Sequence, residues 1–308
     1  MSQEQRHISD YYLNLDDFTK VKNIKIYSDD IVATRKDSPN EKYIIHNLKM
    51  PAHSHLKHYF RSIERRTSLD HPAILPFTGF SCDNQEYSII EPYMENGSLE
   101  KLIQDCAAGH EVPNFETTRS IIIFGIAAGM AYIHQKGITH LNLYSNTIFL
   151  DSENHPKIGG IKENFIEKYG MDMGDHVIPN CYYCSLSPEM IEAKKTTNRS
   201  DVFSYSAILY QMFMFKTLKS EKENLISYLD KIVAGKRIEI EEDKIPRKWA
   251  DLIRQCWHND MYERPSFIEI VAKFMDKKDE YFNDPKINQE ELSRYIDAVT
   301  RGLDFSRL

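Results

Sequence analysis

The segment HLNLYSNTIFL, residues 140–150, gathers polar side chains of the kinds that acid–base chemistry uses: His140, Asn142, Ser145, Asn146 and Thr147. It holds no carboxylate, and the neutral amide of Asn142 is no useful proton acceptor. A phosphate-cradling turn needs glycines, whose backbone N–H groups approach phosphates without an intervening side chain. The first glycine of the chain is Gly79, so no such turn precedes it. Asp29 and Asp30 would in addition repel a phosphate chain. Cys181 and Cys184 form a single CxxC pair, and His53, His55 and His58 one histidine-rich stretch. Structural zinc takes four ligands, so these read as ordinary thiols and a solvated loop at a helix start. No metal site is expected.

The elements that must position these residues change character along the chain. Up to about Ile90, strand-like runs dominate: NIKIYSDDIVAT, KYIIHNL, ILPFTGF and EYSIIEPY, interrupted by the helical HLKHYFRSIERRTSL. Beyond ENGSL the pattern is helical. Ser98 is an N-cap for SLEKLIQDC, and Thr117 to Gln135 is apolar nearly all round, a core helix stopped by Gly137. NRSDVFSYSAILYQMFMF and IPRKWADLIRQCWH read as further helices, and the polar end of the chain carries one amphipathic helix near Gln289 to Gly302. An α+β architecture follows, with a small antiparallel β lobe bearing one main helix and a larger, mainly helical lobe. The longest apolar run, Ile121 to Ile133, is too short to span a bilayer. The net charge of −7 over 308 residues argues against nucleic acid or an anionic membrane as partner. Five scattered cysteines and a start without an apolar core fit a reducing compartment, so a cytoplasmic location is expected.

The motifs LDHPAILPFTGF, IIEPYMENGSLEKLI, GIAAGMAYIHQKGITHLNL, HPKIGG, SPEM, RSDVFSYSAILYQM and CWHNDMYERPSF stand in the order and at the spacings of eukaryotic protein kinases. The sequence resembles the tyrosine-kinase-like group of serine/threonine kinases over roughly residues 15–275. The resemblance implies an extension over residues 1–15, a kinase-like domain over 16–276 divided at 92/93, and a polar tail over 277–308. Kinase catalysis needs nucleotide phosphates positioned, their charge neutralised by lysine and magnesium, and an aspartate that orients the acceptor hydroxyl.

Carried over residue by residue, the glycine-loop positions fall on Ile24, Ile26 and Asp29, and the cleft-lining positions on Ile31, Ile44, Glu91 and Met94. The third-strand lysine becomes His46 and its helical glutamate partner Ser62. In the HRDLKxxN motif, His140 and Leu143 match, whereas Leu141, Asn142, Tyr144 and Thr147 replace the arginine, catalytic aspartate, lysine and metal-binding asparagine. The DFG triplet falls on Gly160, Ile161 and Lys162. Architectural positions survive: His140, Trp257, Asp201, which holds the catalytic-loop backbone in the family, and the Glu189–Arg264 pair that anchors the activation segment. The resemblance therefore implies a pseudokinase, a scaffold or allosteric regulator in signalling whose partners are proteins such as an active kinase, with no cofactor expected. The alternative is a serine/threonine kinase, active or residually active, that uses ATP and magnesium through displaced groups such as Lys49, Glu64 and Asn146. Tyr169, Tyr182, Tyr183, Ser185 and Ser187 lie in the activation segment. No arginine precedes Asn142 to receive a phosphate there, so regulation by phosphorylation is not expected. Last, Glu91 falls at the back of the pocket and Arg66 at a helical position that faces it. An isolated buried carboxylate is costly, so the two are expected to pair.

Overall fold

The computed structural model describes residues 7–25, 29–48, 56–83, 86–161, 180–192, 194, 196–216, 218, 223–306 and 308. They form two compact units. The first takes the described chain up to Asp70 and from Leu75 to Met94; the second takes His71–Ile74 and the described residues from Glu95 onward.

In the first unit, β1 (Phe18–Lys25), β2 (Asp29–Arg35), β3 (Lys42–Leu48), β4 (Gly79–Asp83) and β5 (Glu86–Pro92) accompany the helix α1 (Leu56–Thr67). The strands form one antiparallel sheet in the order β1-β2-β3-β5-β4. Because side chains alternate along a strand and directly opposed residues share a face, the register assigns each side chain to one of two faces. Ala33, Tyr43, Ile45 and Ile90 pack together on one face, covered by Leu13, Leu15, Phe18 and Ile31. Ile89 and Phe80 turn to the other and meet Tyr59 and Ile63 of α1. Tyr59 fixes the helix by donating its hydroxyl to the carbonyls of Ser81 and Ser88, both at 3.0 Å.

Two sequence expectations differ here. ILPFTGF is extended ladder only from Gly79, since Pro76 offers no N–H to a neighbouring strand. Residues 8–15, read as an extension, belong to the lobe: Leu13 N–H donates to Phe80 O at 2.8 Å, and Ile8 and Tyr11 join the cluster under α1. Gly79 permits this crossing, because a Cβ there would lie 2.6 Å from Tyr11 O.

The second unit is mainly helical, with α2 (Leu99–Ala107), α3 (Phe115–Gln135), α4 (Asn180–Cys184), α5 (Pro188–Ile191), α6 (Asn198–Met214), α7 (Leu225–Val233), α8 (Arg247–Cys256), α9 (Phe267–Asp276), α10 (Lys278–Tyr281) and α11 (Gln289–Thr300). A two-stranded ladder of β6 (Ile148–Leu150) and β7 (Pro156–Ile158) accompanies them. Buried residues occupy most positions of α3 and α6, in keeping with the apolar run from Ile121 to Ile133 within α3. Ser98 caps α2 by accepting from Lys101 N–H, and Gly137, at φ +73°, ends the turn after α3. The polar end of the chain is not a loose tail. Leu292, Tyr295, Ile296 and Val299 bury one face of α11 against α3, about 1.5–3 kcal/mol for each side chain removed from water. Gly125 of α3 admits Tyr295, since a Cβ there would run into the Tyr295 hydroxyl and lie 2.6 Å from Pro156 Cγ. His71, in the HP motif, accepts from Ala73 N–H through Nδ1 and donates through Nε2 to Val299 O at 2.8 Å.

Candidate functional site

In the second unit, loop 140–147 joins the end of α3 to β6 and hangs on Asp201 of α6. The Asp201 carboxylate accepts the backbone N–H of His140 at 2.8 Å and of Leu141 at 2.7 Å, and receives His134 Nε2 at 2.9 Å. Leu141 stands in the left-handed region, at φ +55°, which costs an L-residue about 1–2 kcal/mol. The buried carboxylate holds that conformation in place. His140 accepts from Asn142 N–H through Nδ1 and donates through Nε2 to Gly159 O at 3.0 Å, an arrangement that fixes the neutral tautomer. The partnership of His134 with Asp201 was not foreseen, because no local spacing brings α3 and α6 together.

Around that loop the chemistry-bearing positions close on one another. Asn142 Nδ2 donates to Gly160 O at 2.9 Å, and its buried Oδ1 has no hydrogen-bond partner among the described residues. Thr147 Oγ1 donates to the carbonyls of Asn142 and Tyr144, both at 2.9 Å, and accepts Tyr144 N–H. Gly160 lies at φ +69°, so close to its neighbours that a Cβ would stand 2.9 Å from Thr147 Cγ2 and 3.2 Å from Asn142 Nδ2. Tyr144 is buried, its ring edge-on to Tyr182 of α4 with centroids 5.5 Å apart. Asn146 turns to α2, where its Oδ1 accepts from Ser98 Oγ at 3.1 Å. The activation-segment residues Tyr182, Ser185 and Ser187 are buried, whereas Lys162 and Tyr169 lie outside the described residues.

The anchoring pair is formed as the resemblance implied. Arg264, fully buried, grips Glu189 in a bidentate fork at 2.7 and 3.0 Å. It also donates to the carbonyls of His258, Arg199 and Asn259. Ser200 Oγ gives Glu189 Oε1 a further hydrogen bond at 2.7 Å. Burial alone would raise the Glu189 pKa, but Arg264 and Ser200 outweigh it and hold the carboxyl below its usual range.

In the first unit, four charged groups form a chain on the α1 side of the sheet. Asp30 Oδ1 lies 3.1 Å from His46 Nδ1, His46 Nε2 lies 3.3 Å from Glu91 Oε2, and Arg66 Nη1 bonds Glu91 Oε1. The side chains are 0–15% exposed. The Arg66–Glu91 pair expected from sequence is present, extended by a histidine and a second carboxylate that sequence reasoning did not connect. Both ring nitrogens of His46 face carboxylate oxygens, so the ring serves as a two-donor cation. Burial pushes its pKa down, but the hydrogen bonds and charges of Asp30 and Glu91 prevail and raise it to about 9. Glu91 is held below the usual carboxylate range, Arg66 and His46 overcoming its burial.

The register corrects one carried-over position. Ile31 opposes Ile45 and packs against the cluster of Ala33, Tyr43, Ile45 and Ile90, on the face away from His46. Val32, opposite Ile44, occupies the His46 face instead. The carry-over was one residue out of phase, and in a period-two element that exchanges the faces. The same register brings Asp30 to the position beside His46. Ile24 and Asp29 are placed only by their backbone pairing in β1 and β2, Ser62 only as a turn of α1, and Cys181 and His58 likewise by their helices. Ile26, Lys49, His53 and His55 lie outside the described residues. Ile44 is buried, Met94 half-buried and Glu64 exposed. Among the described residues there is no cluster of three or more His, Cys, Asp or Glu side chains that would hold a metal ion, and no helix long and apolar enough to cross a membrane.

A five-stranded antiparallel sheet with one principal helix, and a helical unit whose loop hangs on an aspartate and whose segment end is fixed by a Glu–Arg fork, define the protein-kinase class of fold. The family model of the protein tyrosine and serine/threonine kinases matches residues 13–274, and the chain belongs to that family. It is 28% identical over 222 residues to the RGS domain-containing serine/threonine-protein kinase A of Dictyostelium discoideum, covering 71% of this chain and 19% of that protein. It is 26% identical over 260 residues to the tyrosine-protein kinase hopscotch of Drosophila melanogaster, covering 80% and 21%. With the receptor-interacting serine/threonine-protein kinase 4 of Mus musculus the identity is 30% over 226 residues, covering 68% and 28%. The chain thus spans less than a third of the length of these relatives.

Proposed function

We propose that this kinase domain is a pseudokinase: it keeps the scaffold of the family and works through protein partners, an active kinase being the kind of partner that fits, without transferring phosphate. The observation that carries this reading is the closure of the loop around Gly160. Where the family places a metal-binding carboxylate there is a glycine at φ +69° with no room for a side chain, and where it places the catalytic aspartate, Asn142 is spent on the Gly160 carbonyl. The donors left at these positions, an amide, a threonine hydroxyl engaged by backbone and a glycine, do not fit a hard divalent cation, which takes carboxylate and other oxygen ligands in an open shell. Loss of a general base alone costs about 10²–10⁴ in rate; loss of the metal ligands also removes the neutralisation of developing charge on which phosphoryl transfer depends. The family cofactors ATP and magnesium therefore have no role in this reading.

A residually active kinase would need displaced groups, and of these Asn146 is engaged elsewhere, its Oδ1 accepting from Ser98 Oγ. Titration with magnesium–ATP followed by calorimetry separates the readings. A residually active kinase has to bind it saturably, and such binding lost in an Asn146→Ala variant would support that alternative. Heat signals no larger than dilution support the scaffold.

A further inference from the structure

In a kinase small lobe, the cation on the third strand is spent on the phosphates of a bound nucleotide. In this chain the group at that position, His46, is fully committed within the lobe: Nδ1 to Asp30 at 3.1 Å and Nε2 to Glu91 at 3.3 Å, with Arg66 closing the chain on Glu91. We propose that Asp30 is a built-in anion, its carboxylate occupying against His46 the seat that a ligand phosphate would take, so that the small lobe holds itself in one charge-balanced arrangement and excludes polyphosphate.

Three observations carry this. The Asp30 side chain is completely buried, and a buried carboxylate is held where it is only by partners as good as the water it gave up. On the sheet it meets His46, reached because residues 30, 32 and 34 share the face of 42, 44 and 46. And the described network pairs two cations, His46 and Arg66, with two carboxylates, Asp30 and Glu91. A polyphosphate entering it would meet like charge at short range with no cation left uncompensated, whereas removal of Asp30 alone leaves a net positive seat. Glu91 does a different task, since it also ties α1 to β5 through Arg66. This proposal deepens the reading that no nucleotide is used, but it rests on the first unit alone and stands or falls independently of the loop around Gly160.

The test uses the full chain with inorganic pyrophosphate, which needs no adenine contact, in isothermal titration of the parent, Asp30→Asn, Asp30→Gly and the double variant Asp30→Gly/His46→Ala. Asp30→Asn keeps the shape and an acceptor for His46, and guards against loss of folding in the glycine variant. Both single variants are expected to bind pyrophosphate at least about tenfold more tightly than the parent, a change of about 1.4 kcal/mol, and the double variant is expected to lose that gain. Pyrophosphate binding by the parent as tight as by the variants overturns the proposal, as does a gain that survives without His46 or the absence of any gain in folded Asp30→Asn. Pyrophosphate binding by the Asp30 variants is read without any transfer step, so this proposal can fail while the parent still transfers no phosphate.

Discussion

The sharpest consequence of the Asp30–His46–Glu91–Arg66 chain is a pH dependence of stability traceable to one ring. The His46 pKa stands at about 9 in the folded protein against an ordinary value of 6.5. A group whose pKa is higher folded than unfolded binds its proton more tightly in the native state, so it stabilises the fold wherever it is protonated there. The contribution is complete below about pH 6.5, where it amounts to about 3 kcal/mol, is still ~2.5 kcal/mol near pH 7, and vanishes as the pH rises through about 9. Urea unfolding followed by far-ultraviolet circular dichroism is the assay, because both tryptophans, Trp249 and Trp257, lie in the second unit and fluorescence would report on that unit. Lysines and tyrosines also titrate at high pH, so the quantity to read is the difference between the parent and His46→Gln. The parent is expected to lose ~2.5 kcal/mol more than the variant between about pH 7 and about pH 10. Equal losses in the two proteins would mean that His46 is neutral in the fold and that the reasoning from its two carboxylate neighbours is wrong.

Other perturbations follow from individual contacts. Arg264→Ala strands the buried Glu189 carboxylate and is expected to cost about 3–5 kcal/mol, seen as a lower urea midpoint; an unchanged midpoint contradicts the bidentate fork. Gly160→Asp, which writes the family carboxylate back into the sequence, should lower the melting temperature and restore no phosphotransfer, because φ is +69° and the new Cβ would press on Thr147 at 2.9 Å. A stable and active Gly160→Asp protein would refute the packing at that loop. Gly125→Ala should loosen α11 by pushing on Tyr295 and Pro156, measured as faster amide exchange over Gln289–Thr300 with little change in the first unit.

The helices of the second unit were legible because their signals are local. Ser98, Gly137 and the unbroken apolar run from Ile121 to Ile133 mark ends and burial without any tertiary knowledge, and the structure caps α2 at Ser98 and ends α3 just before Gly137. The Arg66–Glu91 pair was legible for an energetic reason: a carboxylate forced into an apolar pocket must find a cation, and one helical position faced it. The small-lobe register was not legible to a single residue. Without glycines to pin the β1–β2 connection, carry-over from the family slipped by one, and only the ladder pairing Val32 with Ile44 shows that Asp30, rather than Ile31, shares the face of His46. At the end of the chain the amphipathic helix was legible from the helical spacing of Leu292, Tyr295, Ile296 and Val299, whereas their partner surface on α3 becomes visible only in three dimensions.

If the kinase scaffold persists here without its chemistry, as proposed, phosphate transfer itself is the direct test. The purified chain, incubated with γ-labelled ATP and either magnesium or manganese together with a generic protein substrate, is expected to leave both itself and the substrate unlabelled. Label that appears with the parent and disappears with Asn142→Ala or Asn146→Ala would contradict the account, whereas label unaffected by both substitutions identifies a contaminating kinase.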